Sequence, residues 1–404
     1  MAYRILSLDG GGPWALIQAC VLEDLFNDAP GHDILGRFDL AIANSGGSIT
    51  LAGLIKNLRP SQIRDLFMTE AQRTKIFVRR NFLMYTLFDK IGLGPKWQAA
   101  AKLQGLREIF NAPPPADQTT YAIGDTPITN LPLPTNTQII VAGFDYDLNR
   151  EVFFHRNPSR LQTLNPAFVP TLAGAVHASS NAPINYFDAP ALVPGISNTA
   201  TRRFWDGGVG GYNTPVFRGV VEALANNQHL SPSDIYALSL GTGTNWLPAG
   251  PPLNGEPAYL FATATGPNPK TDLTKIATAI IDDPPDAATV NAYIVTRSTD
   301  EAPRAIRLSP MIAPERAGSG WALPTGFARF PGLTPEQAFK TLLAMPMDAV
   351  AQPQVSIIQT LAEQWQQDNI RNQPVLRNDN DGTPIFGHGK YGEAVAAFRS
   401  WPLK

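Results

Sequence analysis

Three glycine-rich turns hold the residues of this sequence best suited to chemistry, and each follows an apolar run. The first is Asp9-Gly10-Gly11-Gly12. Three successive glycines let backbone N–H groups point into one space at a helix start, which suits an oxyanion or a phosphate. The spacing is neither G-x-G-x-x-G nor that of a P-loop, so a dinucleotide or nucleotide fingerprint is excluded. The second is Ala43-Asn44-Ser45-Gly46-Gly47. It has the shape of a strand–nucleophile–helix elbow, G-x-S-x-G, with Ala43 in the first small position. Ser45 would stand at a helix N-terminus, where the local dipole favours alkoxide character; an ordinary serine cap is the plain alternative. The third is Asp206-Gly207-Gly208. A carboxylate at a strand end is often a turn former, but a buried one can act as a base near neutral pH.

A serine nucleophile needs a base. Downstream of Ser45 the histidines are His155, His177, His229 and His388, and none follows a strand within a glycine turn. Asp206 does, so a two-member Ser45/Asp206 site is the economical reading.

The surrounding pattern says what positions these turns. Tyr3–Leu8 and Phe38–Ala43 read as buried strands, each running through its turn into a helix-spaced apolar stretch. Strands at 137–144 and 150–155 flank a short turn and read as a hairpin. Arg202–Trp205 leads to Asp206, and Thr214-Pro215 reads as a cap followed by a first-turn proline. Ile235–Leu240 is a further strand. Such alternation predicts a mostly parallel α/β sheet. Beyond 250, helices are expected at about 271–282, 335–344 and 352–371, the last with Val355, Ile358, Leu361 and Trp365 on one stripe. The cluster Phe82–Phe88 reads as core, or else as a lid over an apolar site.

Composition narrows the function classes. The chain has 404 residues and a net charge of −2, which argues against a nucleic-acid partner. A single cysteine and five scattered histidines give no metal-ligand spacing, so neither metal nor cofactor is expected. Charged residues are only 16% of the chain, against a usual ~25%. The 37 prolines are about 9% of the chain, nearly twice the average of ~5%; several mark helix starts and many fall in surface segments. The start of the chain shows no secretory signal pattern, and the uncharged stretches are too short or too rich in proline to span a membrane. A cytoplasmic protein is expected.

In order and spacing, the three turns resemble the patatin family of lipid acyl hydrolases. DGGGPW at 9–14, ANSGG at 43–47 and WDGGVGGYNTP at 205–215 are similar to its motifs. So are LAGAVHASSNAPINYF at 172–187 and ALSLGTG at 237–243. The resemblance covers residues 1–245 and implies a three-layer α/β/α sandwich with a mostly parallel central sheet. Residues 246–404 are expected to form a mainly helical region packed on that catalytic domain. It also implies Ser45 as nucleophile, Asp206 as base and backbone N–H groups at Gly10, Gly11 and Gly12 as the oxyanion hole. Ala43, Asn44, Gly46 and Gly47 would build the elbow. The implied substrate is a glycerophospholipid or lysophospholipid, reached by peripheral, transient contact with a membrane surface.

Three positions depart from the family's pattern. Trp14-Ala15 stands where Arg or Lys and then Gly are usual, Ala43 replaces the elbow's first glycine, and His177 stands where Arg is usual. Two other readings stay open: a catalytically silent lipid-binding or regulatory module, and a Ser/His/Asp esterase on an ordinary α/β-hydrolase.

Overall fold

The computed structural model describes residues 2–80, 94–113, 119–133, 136–162, 164–165, 167–196, 201–252, 255–263, 266, 285–297 and 304–402. The expected helix at 271–282 and the cluster Phe82–Phe88 lie outside the described residues.

The apolar runs become strands because each residue in them finds cover on both faces. In chain order the first elements are β1 (Tyr3–Leu8), α1 (Leu16–Phe26), α2 (Gly31–Leu35), β2 (Leu40–Ala43), α3 (Ser45–Ile55), α4 (Pro60–Met68), α5 (Glu70–Ile76) and α6 (Ala99–Asn111). The hairpin β3 (Gln138–Asp145) and β4 (Arg150–His155) follows, then α7 (Leu172–Ser179), β5 (Ala191–Val193), β6 (Arg202–Asp206), α8 (Val216–Asn226) and β7 (Ile235–Leu240). The remainder holds β8 (Thr244–Asn245), α9 (Pro285–Thr296), β9 (Ala305–Leu308), β10 (Met311–Ile312), α10 (Pro335–Ala344), α11 (Gln352–Gln366) and α12 (Tyr391–Arg399).

The sheet order is β5-β6-β3-β2-β1-β7-β9, with β4 paired to β3. β3, β2, β1, β7 and β9 run parallel, while β4 and β6 are antiparallel to β3. Alternation along the strands divides the core in two. Ile5, Leu40, Ile42 and Ile140 pack with Val216 and Val220 of α8. Leu6, Leu8, Ala41 and Val141 pack instead with α1, α3 and α7. The result is the three-layer α/β/α sandwich.

The expected stripe on α11 (Val355, Ile358, Leu361 and Trp365) is buried in the same core as α1. The helix ends at Gln366, short of the expected 371. The region after 245 is not helical alone. It carries α9 to α12, and its strand β9 pairs in parallel with β7 at the sheet edge. Pro215 is the cap of α8, one residue off its expected place, and no side chain caps that helix. The Thr214 hydroxyl is engaged elsewhere: it donates to Asp9 Oδ2 at 2.9 Å. Among the described residues no helix is long and apolar enough to cross a membrane.

Candidate active site

β3 explains why Ser45 and Asp206 meet. A strand has two hydrogen-bonding edges. β4 covers one edge of β3, with pairs from Ile140 to Asp145. The other edge changes partner: β2 pairs through Val141, then β6 pairs from Gly143. β2 and β6 approach that point from opposite directions and both end there. Ser45 follows the end of β2 by two residues, and Asp206 is the last residue of β6.

The elbow itself is strained. Asn44 is extended, and Ser45 has φ 48°, the left-handed region that a side-chain-bearing residue rarely adopts. Such a turn needs small neighbours. A Cβ on Gly46 would lie 2.4 Å from the Gly12 carbonyl oxygen, so the two glycines bring elbow and glycine turn together. A Cβ on Gly10 would lie 2.0 Å from Asn213 Oδ1 and 3.0 Å from Ser45 Cβ. Ser45 is not the helix cap; it is the first residue of α3, and Asn44 stands at the cap position without a side-chain capping hydrogen bond.

Asp206 is buried and richly held. Oδ1 accepts from Asn44 Nδ2 at 3.0 Å and from Gly208 N–H at 2.9 Å. Burial raises its pKa. The Ser45 hydroxyl, those two donors and the charge of Lys102 lower it in part. The Ser45 hydroxyl acts on that carboxylate electrostatically, and Asp206 Oδ2 has no hydrogen-bond partner.

Asn44 also joins the outer groups. Its Oδ1 accepts from Ser179 Oγ at 3.4 Å, and Ser179 Oγ accepts from the Ser45 N–H at 2.9 Å.

The three glycines of the first turn are not equivalent. The Gly10 N–H donates to the Asn213 carbonyl at 2.9 Å, so it has no proton to offer an oxyanion. Gly12 and Gly46 border the Ser45 cavity. Gly10 and Gly11 border a second cavity of about 290 Å3, shared with Trp14, Asn213 and Thr242. The Ser45 cavity is about 20 Å3, roughly room for one water. It is closed partly by Met347 and Asp348, which reach over from the segment after α10. Asp348 is held there by Lys96 Nζ at 3.1 Å and Trp97 Nε1 at 2.8 Å.

Trp14, at the position of the family's usual cation, donates from Nε1 to the Pro346 carbonyl at 3.2 Å and pins the same segment. Asp9 does not face the reaction. Its Oδ2 pairs with Arg307 of β9 at 2.5 Å, both side chains buried, and its carbonyl accepts from Gln18 Nε2 and the Gly47 N–H.

None of His32, His155 and His177 lines the Ser45 cavity. His155 pairs with Glu222, and His32 Nε2 meets the Ile55 carbonyl. His177 is buried, its Nδ1 has no partner, and burial with the nearby Lys102 and Arg107 charges keeps its pKa well below the usual imidazole range. Asp145 accepts from the Asp147 and Leu148 N–H groups of the hairpin turn and pairs with Arg202, while Asp147 pairs with Arg203. Among the described residues no cluster of three metal-ligating side chains occurs.

One site residue escaped the sequence reading. Lys102 of α6 borders the Ser45 cavity and is 1% exposed. Its signal was faint: Ala99, Lys102, Leu106, Ile109 and Phe110 share the buried face of α6, so a lysine occupies a core position of an amphipathic helix.

The class defined here is a three-layer α/β/α sandwich with a mostly parallel sheet, carrying a serine on a strained strand-to-helix elbow and a buried aspartate at the end of a neighbouring strand. The sequence matches the profile of patatin-like phospholipases over residues 6–218, and the chain belongs to that family of lipid-ester hydrolases. Among solved structures it is similar to VipD from Legionella pneumophila, with 10% identity over 90% of this chain and 67% of that one and a TM-score of 0.33. It is also similar to the type III effector protein ExoU, with 13% identity over 89% of this chain and 53% of that one and a TM-score of 0.27. Neither likeness is close enough to bear on the site. No curated protein matches the chain in sequence.

Proposed function

We propose that this chain hydrolyses carboxylic esters of glycerophospholipids or lysophospholipids through a Ser45/Asp206 dyad. The observation that carries the reading is the convergence of β2 and β6 on one edge of β3, which brings the Ser45 hydroxyl to a buried carboxylate. Ser45 Oγ attacks the ester carbonyl carbon and gives its proton to Asp206. The negative charge moves to the carbonyl oxygen, which N–H groups at Gly12 and Gly46 hold, with Gly11 beside them. Collapse breaks the bond to the alcohol oxygen, which takes the proton from Asp206, and leaves an acyl-enzyme. A water then gives its proton to Asp206 and attacks the acyl carbon; the bond from that carbon to Ser45 Oγ breaks, Oγ takes the proton back from Asp206, and the fatty acid leaves. No metal or cofactor is required.

The elbow's Ala43 suits this reading, since the position asks for a small residue and its side chain is buried at the end of β2. The chain works at a membrane surface from the cytoplasm, by peripheral contact. The second reading, a silent lipid-binding module, is favoured by one observation, the small volume of the cavity at Ser45, about 20 Å3.

The test is fluorophosphonate labelling together with turnover of acyl esters presented in vesicles. Wild type should label and turn over. Ser45→Ala should abolish labelling, and Ser45→Ala or Asp206→Ala should lower kcat by about a thousandfold or more. Labelling that survives Ser45→Ala sinks the dyad; vesicle binding without turnover supports the silent module.

A further inference from the structure

Asn44 stands at the cap position of α3, yet its side chain caps nothing. Asparagine there ordinarily accepts a backbone N–H of the first turn. Here the amide turns into the site instead, where the first and third glycine turns close on it. A Cβ on Gly207 would lie 2.4 Å from Asn44 Oδ1, and one on Gly10 would lie 3.0 Å from Asn44 Nδ2. The residue is fully buried, so the amide has little room to swing. What remains to be fixed is which end points where, since the two ends have nearly the same size and opposite hydrogen-bonding roles.

Ser179, the last residue of α7 and itself fully buried, settles the orientation. Its Oγ accepts the Ser45 N–H at 2.9 Å, which leaves its own proton to give, and Asn44 Oδ1 accepts that proton at 3.4 Å. With Oδ1 so engaged, Nδ2 faces the other way and donates to Asp206 Oδ1 at 3.0 Å and to Asn213 Oδ1 at 3.4 Å. From this chain of contacts we infer that Ser179 is a positioning residue of the hydrolysis: its hydroxyl fixes the Asn44 amide with the N–H end on Asp206 Oδ1, and so reserves Oδ2 for the Ser45 proton. The inference rests on the dyad reading above.

The two oxygens of Asp206 are unequal. Oδ1 accepts from Asn44 Nδ2 and the Gly208 N–H, while Oδ2 has no partner. An oxygen that already accepts two donors is the poorer place for a third proton. The proton leaving Ser45 Oγ therefore bonds to Oδ2, and Oδ1 keeps both donors. A reversed amide would set its oxygen against the carboxylate with no proton between them, and would hold the proton once Asp206 had taken it. Ser179 does not titrate at working pH, so it holds the amide in both halves of the cycle. Ser180, next in the chain, has no such part, because its hydroxyl donates to the Val176 carbonyl at 2.6 Å.

The experiment is steady-state turnover of a soluble chromogenic acyl ester by wild type, Ser179→Ala, Asn44→Ala and the double variant, with thermal denaturation of each. Ser179→Ala should lower kcat by about tenfold and leave KM within about threefold of wild type. In Asn44→Ala the amide is already gone, so adding Ser179→Ala should lower kcat by no more than about a further threefold. A lower melting temperature with kcat unchanged, a rise in KM alone, or a loss that recurs in full in the Asn44→Ala background overturns the inference. Ser179→Cys is the second variant, should Ser179→Ala not fold: a thiol is a weaker donor of similar shape, so kcat should fall the same way by less, and an unchanged kcat is again fatal. Asp206→Asn separates the two readings. If it turns over like wild type, the dyad falls and this inference with it. If it is inactive while Ser179→Ala keeps the wild-type kcat, only the role of Ser179 is rejected.

Discussion

Ala43 and Asp206 share one edge of the same strand, Ala43 opposite Val141 and Asp206 opposite Gly143. They arrive on antiparallel courses, so the chain leaves the sheet at Ala43 where it enters the turn after Asp206. No loop needs to reach across the molecule to bring Ser45 and Asp206 together. Rigid strand ends hold both, which suits a site that depends on close alignment. Asn44, between Ala43 and Ser45, bridges the remaining gap by donating to the Asp206 carboxylate.

That bridge is the first prediction. Asn44→Ala removes one of the two completed hydrogen bonds to Asp206 Oδ1 and leaves the Gly208 N–H. A hydrogen bond to a charged group is worth about 1.5–3 kcal/mol, so kcat should fall by about 10- to 100-fold. Fluorophosphonate labelling should slow but persist. Labelling and turnover at wild-type rates would show that Asn44 does not orient the base.

The Asp9–Arg307 pair tests whether the region after 245 is needed by the glycine turn. Arg307→Met strands a buried carboxylate whose Oδ1 already lacks a partner. Breaking a buried pair costs about 3–5 kcal/mol. Thermal or urea denaturation should show a loss of that order, and activity should fall with it as the turn loosens. Asp9→Asn with Arg307→Met should recover part of the stability, because no unpaired charge then remains.

His177 gives a pH prediction. Its pKa is depressed in the folded chain by burial and by Lys102 and Arg107. Unfolding therefore takes up a proton at any pH below the free imidazole value of ~6.5 and above the folded value. Stability is full above about pH 6.5 and is lost as pH falls, with a slope of up to about 1.4 kcal/mol per pH unit for each such group. His32 and His388 act in the same direction. His177→Gln should flatten the slope of unfolding free energy between pH 7 and pH 5 by one group's share. An unchanged slope would mean that His177 is reachable by protons in the folded state.

Much of the site was legible in the residues themselves. Glycine turns after apolar runs are local events: backbone freedom and strand propensity act within a few residues, so Asp9–Gly12, the elbow and Asp206 could be located without a structure. The parallel sheet follows from the same runs, which only a sheet buried on both faces can accommodate. What the glycines do was not local. Gly10 spends its N–H on Asn213, some two hundred residues away, so it leaves the set of free donors. Thr214 looked like a helix cap, but a buried carboxylate competes for its hydroxyl and wins. Lys102 carried almost no signal, because a lysine in an apolar stripe is intelligible only when its neighbours are known. Arg307 carried none, since its partner lies at the opposite end of the chain. The sequence by itself determined the turns, the strands and the residue types a hydrolase needs, because these depend on near neighbours. Only the tertiary structure decided which charges face one another, since desolvation and pairing are properties of the space where distant segments meet.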